Sequence, residues 1–184
     1  MRDPRSPGSL DELQDWLRSN GIPYESWGVG AVKSVRNLWD EITAGEAVLS
    51  GDPPLRRVSV VSVRVVVDGR QLTEVGQQMA TGAVRKRNSP PTEKMKPGET
   101  ATAAALRCLA EELGVRATDV VLDPRSLSVT VEKLASPSYP GLPGEYRLHT
   151  VHAQVSGLPE TAFTTAESPG DGDPVISTHH WEWR

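Results

Sequence analysis

The spacing of apolar positions changes along the chain, and each change marks an element. Leu10, Leu13, Trp16 and Leu17 recur at helical spacing, which predicts an amphipathic helix. Ser9 and Glu12 open it as a capping box, and Asn20-Gly21 stops it. A second short helix is expected over 33–39, then a strand over 43–49 that ends at Ser50-Gly51-Asp52-Pro53-Pro54. Residues 56–79 read as sheet. The run RVSVVSVRVVV is dense in β-branched residues, Asp68-Gly69 is a hairpin signal, and 71–78 returns as the partner strand. A further strand is expected over 81–87, broken by Asn88-Ser89-Pro90-Pro91.

The pattern then switches period. The stretch PGETATAAALRCLAEELGV predicts a helix over 100–113 with Gly114 as its stop. Ala103, Leu106, Ala110 and Leu113 form one stripe, expected to pack on a sheet; Arg107, Cys108, Glu111 and Glu112 lie toward the other side. Extended segments are expected at 119–122, 126–134 and 146–155, and in a tail over 175–183. Strands before and after one long helix make the fold class α/β (α+β). The expected organisation is a helical extension over 1–50 packed on a main domain over 51–184.

Composition narrows the classes. With 184 residues, 37% apolar and 24% charged, the chain fits one globular domain and an appended element. A net charge of −4 disfavours a duplex nucleic-acid partner held by bulk electrostatics. The apolar runs are strand-sized, so no membrane span is expected. The opening residues, MRDPRSPGS, are expected to be mobile and have no apolar region behind their charges. Cys108 is the one cysteine, so an intramolecular disulfide is impossible. A cytoplasmic protein is the expectation.

Glu111 and Glu112 bring in chemistry. Adjacent carboxylates repel each other and suit a hard divalent cation that prefers oxygen ligands. The same pair on a solvated helix face is ordinary. The wider spacing decides between these. Glu99 precedes the helix, Arg107 follows it by eight residues, and Leu109, Glu111, Glu112, Gly114 and Val115 come after. These seven positions, within 93–115, resemble the Nudix box in register. Two signature positions differ: the opening Gly is Glu93, and the Glu after the signature Arg is Cys108. A thiol suits Mg²⁺ badly, and Cys108 reads as a small buried hydrophobe.

The resemblance implies a Nudix-like α/β/α sandwich with a mixed sheet. It implies Glu111 and Glu112 as metal ligands, Glu99 and Arg107 as an ion pair tying loop to helix, and Mg²⁺ or Mn²⁺ as cofactor. The implied reaction is hydrolysis of a nucleoside diphosphate linked to another group, a small-molecule substrate, and the implied assembly is a homodimer. With Cys108 at the usual Glu position, the candidates for general base are Glu112, Glu132, Glu145 and His149. The alternative is a Nudix-fold module that binds a nucleotide or phosphorylated metabolite without cleaving it.

Arg85, Arg87, Lys94 and Lys96 could form a phosphate-binding rim; lysine and arginine blunting an edge strand is the competing reading. His149 and His152 point to opposite faces of a strand, as do His179 and His180, so a zinc site is disfavoured. Trp181 and Trp183 share a face of the tail and are expected to cover the core. The loop SPSYPGLPGE reads either as a border of the substrate or as a plain connector.

Overall fold

Ser9 accepts a hydrogen bond from the Glu12 amide at 3.1 Å, and the first helix, α1 (Leu10–Ser19), starts there as its cap predicts. The computed structural model describes residues 7–30, 32–167 and 176–184. The expected mobility of residues 1–6 and the start of the tail at Val175 lie outside the described residues. The described elements are mixed α+β: three α-helices with a mixed sheet of many strands.

The chain divides into two compact units, Met1–Ser59 with Thr130–Arg147, and Val60–Val129 with Leu148–Arg184. In the first unit, Ser34 and Asn37 form a reciprocal capping box that opens α2 (Val35–Thr43). This helix runs further than the expected 33–39, and β1 (Ala47–Ser50) starts later than the expected 43. Glu41 and Ile42 are buried, so tertiary packing carries the helix past the point where local pattern stopped it. β1 pairs antiparallel with the start of β2 (Leu55–Val67). Glu41 is held between Arg56 at 2.5 Å and Lys33 at 3.2 Å, all three buried. The Arg56 guanidinium lies 5.0 Å from the Tyr139 ring centre. Tyr139 and Leu142 are buried, and Trp27 donates to the Pro140 carbonyl at 3.0 Å. The loop SPSYPGLPGE is therefore part of this unit's packing.

The second unit holds the rest of β2, then β3 (Arg70–Met79), β4 (Val84–Ser89) and β5 (Thr92–Lys94). The long helix α3 (Ala101–Leu113) follows, and then β6 (Val120–Ala135), β7 (Pro143–Val155), β8 (Phe163–Ala166) and β9 (Ile176–Trp183). The ends of β6 and β7 nearest the loop between them belong to the first unit. The β2–β3 hairpin turns at Asp68 and Gly69, both at positive φ, as the dipeptide predicts. Neighbours in the sheet run β6-β7-β2-β3-β9-β8, with β4 beside β3 and β5 beside β2.

Three strands depart from the expectation. β5 and β8 are too short for their pattern to mark a strand in the sequence. β6 is one strand through Pro124, where two were expected; at the end of the sheet order, Pro124 removes no essential ladder bond. The tail forms β9 as expected, and Trp181 is buried.

The core of this unit joins Val61, Val63 and Val65 of β2 to α3, β7 and Trp181. The helix face differs from the predicted stripe. Ala104, Ala105, Cys108, Leu109, Glu112 and Leu113 are buried, whereas Ala103 and Ala110 are exposed. Cys108 is thus a small core residue, and the hydrophobic face is wider than one stripe.

Candidate functional site

Arg107 organises the ends of α3. Its guanidinium bonds both Glu99 carboxylate oxygens, at 2.9 and 3.0 Å, Glu111 at 2.9 Å, and the Lys94 carbonyl at 2.7 Å. The Glu99–Arg107 pair is the one the resemblance implied. Glu99 also accepts from the Lys96 amide at 2.9 Å, closing the turn at Gly98, whose φ is +76°. Hydrogen bonding to Arg107 holds the Glu99 carboxyl below its ordinary range. One side chain thereby ties β5, the loop and the helix together.

Glu112 lies one residue on, in a different environment. It is buried, and its Oε2 has no hydrogen-bond partner. Burial, then the charge of Glu74, push its carboxyl well above the ordinary range. Glu111 is engaged by Arg107 on the flank of the helix. Adjacent helix residues point about 100° apart, which separates the surroundings of the two. Burial likewise raises the Cys108 thiol, so no thiolate forms at neutral pH. Glu93 on β5 is half-buried and accepts from the Lys94 amide at 2.6 Å; burial outweighs that bond and lifts its carboxyl to about 7.

Next to Glu112 in charge interaction is a buried polar network that sequence reading passed over. His179 Nδ1 lies 2.6 Å from Glu74, and its Nε2 lies 3.2 Å from Glu167. Arg87 donates to Glu74 at 2.9 Å, and Arg85 bonds Gln77. Burial disfavours the imidazolium, yet the Glu167 and Glu74 hydrogen bonds outweigh it and lift His179 to about 10. Parity was the available signal. His179, Trp181 and Trp183 alternate on β9, so the face assigned to the tryptophans includes the histidine. Glu74 shares parity with buried Leu72 in the same way.

Of the basic residues, Arg85 and Arg87 share one half-buried face of β4 while Lys86 is exposed, as alternation requires. Lys94 and Lys96 contribute their backbone groups to the Arg107–Glu99 clamp. In the first unit, Glu145 pairs with Arg57 at 3.1 Å and Lys133 at 3.8 Å, and Glu132 is exposed. His149 lies on β7. An open cavity of about 460 Å³ sits at the C-terminal end of α3. Leu113, Gly114, Phe163 and Thr165 are among its lining residues, and Glu111 and Glu112 are not. Thr165 donates to the Glu112 carbonyl.

The unpartnered donor among these groups is a carboxylate oxygen. Glu112 offers a hard oxygen that is buried and unpartnered. Among the described residues, no group of three or more His, Cys, Asp or Glu is placed to hold an ion. This fits a Mg²⁺-like cation held by one or two carboxylates and completed by water and substrate oxygens. It does not fit a closed cage.

A NUDIX domain model matches residues 56–182. Among solved structures, a NUDIX hydrolase from Nitrosomonas europaea is 20% identical with a TM-score of 0.41, over 67% of this chain and 70% of that one. A C. elegans Ap4A hydrolase, in a binary complex, is 14% identical with a TM-score of 0.37, over 68% and 77%. The Nudix hydrolase RenU from M. smegmatis is 15% identical with a TM-score of 0.33, over 68% of each chain. No curated protein matches the chain. No helix among the described residues is long and apolar enough to cross a membrane.

Proposed function

The chain belongs to the Nudix family, and from that premise we propose that it is a divalent-metal-dependent hydrolase cleaving the pyrophosphate of a nucleoside diphosphate linked to another group. The observation that carries the reading is Glu112: a buried carboxylate with an unpartnered oxygen, on a helix clamped by Arg107.

Glu112 would hold the Mg²⁺ or Mn²⁺, with Glu111 kept beside it by Arg107. Such an ion neutralises phosphate oxygens and makes a bound water more acidic. The protein's own groups do the remaining work. Arg107 and Glu99 fix the loop against the start of α3. Arg85, Arg87, Lys94 and Lys96 supply positive charge for the phosphates. Cys108, buried as the thiol, takes no proton.

The test is turnover of dinucleoside polyphosphates, nucleotide sugars and nucleoside triphosphates with Mg²⁺ or Mn²⁺. Metal-dependent hydrolysis is expected, falling by ~100-fold or more in Glu112→Gln. Hydrolysis unaffected by that substitution defeats the reading. The departures at Glu93 and Cys108 favour a second reading, a module that binds such a ligand without cleaving it. Saturable binding with no turnover in either protein would support it.

A further inference from the structure

We propose that the missing helix carboxylate at position 108 is supplied from the neighbouring strand: Glu93 of β5 and Glu112 of α3 together hold the divalent cation, while Glu111 is retained by Arg107. The inference rests on the reading above and assigns a residue that the family signature does not.

Strand register carries the geometry. Glu93 is the antiparallel partner of Val61, and directly opposed residues project from the same face of a sheet. Val61 is fully buried and shares one core cluster with Cys108 and Leu109 of α3. The Glu93 side chain therefore leaves β5 on the face covered by α3, the face that Cys108 also meets. Arg107 draws the two elements together through its 2.7 Å bond to the Lys94 carbonyl, one residue from Glu93.

The second observation is the orphaned oxygen. Glu112 is 6% exposed, and its Oε2 lacks any hydrogen-bond partner. A buried acceptor left unmade is costly, and a cation satisfies it where no donor does. Glu112 also feels the charge of Glu93, so the two carboxylates lie within electrostatic reach of each other. A cation shared with Glu93 would give the orphaned oxygen of Glu112 its partner. Glu111 does not need one, since Arg107 already bonds it at 2.9 Å. Two carboxylates leave most of a cation's coordination sphere open. They are also the usual number for Mg²⁺, whose remaining positions go to water and phosphate.

A Mn²⁺ titration followed by the electron paramagnetic resonance of the free ion tests this on the full chain. The unsubstituted protein is expected to bind one Mn²⁺. Affinity should fall at least tenfold in Glu93→Gln and in Glu112→Gln, and less than threefold in Glu111→Gln. Unchanged affinity in Glu93→Gln, or no Mn²⁺ bound by the unsubstituted protein, overturns the proposal. Should Glu93→Gln fail to fold, amide NMR of the unsubstituted ¹⁵N-labelled protein answers instead. Diamagnetic Mg²⁺ must shift the signals of Glu93 and Lys94 together with that of Glu112; shifts confined to the helix overturn the proposal. Turnover measured in parallel separates the two readings. Hydrolysis and Mn²⁺ affinity that both survive in Glu93→Gln remove Glu93 and leave the hydrolase standing. Mn²⁺ binding lost in that variant, with no hydrolysis by any form, keeps the cation pair and removes the hydrolase.

Discussion

His179 illustrates how a single buried side chain sets pH behaviour. Its two nitrogens face Glu74 at 2.6 Å and Glu167 at 3.2 Å, and its pKa rises from 6.5 to about 10. The folded state therefore binds its proton more tightly than the unfolded chain does. That stabilisation is complete below pH 6.5 and is lost as pH rises through 10. Glu93, lifted from 4.5 to about 7, acts in the same direction: stability falls between those values as the unfolded chain ionises first. Urea midpoints measured with a chelator at pH 5, 7 and 10 should decline in that order. His179→Gln should flatten the alkaline limb; an unchanged limb would remove His179 from this role. At this scale the nature of Cys108 was legible in the sequence, because a lone thiol among apolar neighbours has few other fates. The role of Glu74 was not, because its partners lie 13 and 105 residues away in the chain.

α3 shows how caps and a clamp position a site. Thr100 accepts from the Ala103 amide at 3.2 Å, and Gly114 closes the helix at φ +68°. Thr100→Ala should cost about 1 kcal/mol in urea unfolding. Arg107→Met should cost more, about 3 kcal/mol, because it leaves Glu99 and Glu111 partly buried without their cation. A cost no larger than that of Thr100→Ala would mean the guanidinium network contributes little to folding. The helix and its ends were readable from Thr100, the Ala-Leu content and Gly114. Its buried face was not. Ala103 and Ala110 fit the period as well as Ala104 and Ala105 do, and only contact with the strands decides which pair is covered.

Across the whole molecule, a net charge of −4 gives polyanions no general attraction. Micromolar protein should not retard duplex DNA in a gel at 150 mM salt, and clear retardation would point to a basic surface that the charge balance hides. The proposed phosphorylated substrate would then depend on local cations such as Arg85 and Arg87, on one face of β4. By itself the sequence determined α1, the Asp68-Gly69 hairpin, and α3 with its stop at Gly114. Each of these is set by residues near one another in the chain, where turn chemistry and helical spacing act directly. Tertiary structure alone decided which helix face is buried and that Glu112 is desolvated. It also decided that Glu93 projects toward α3 and that His179 sits between two carboxylates. Those outcomes depend on strand register and on which strands become neighbours, so distant segments must meet before burial and charge can act between them.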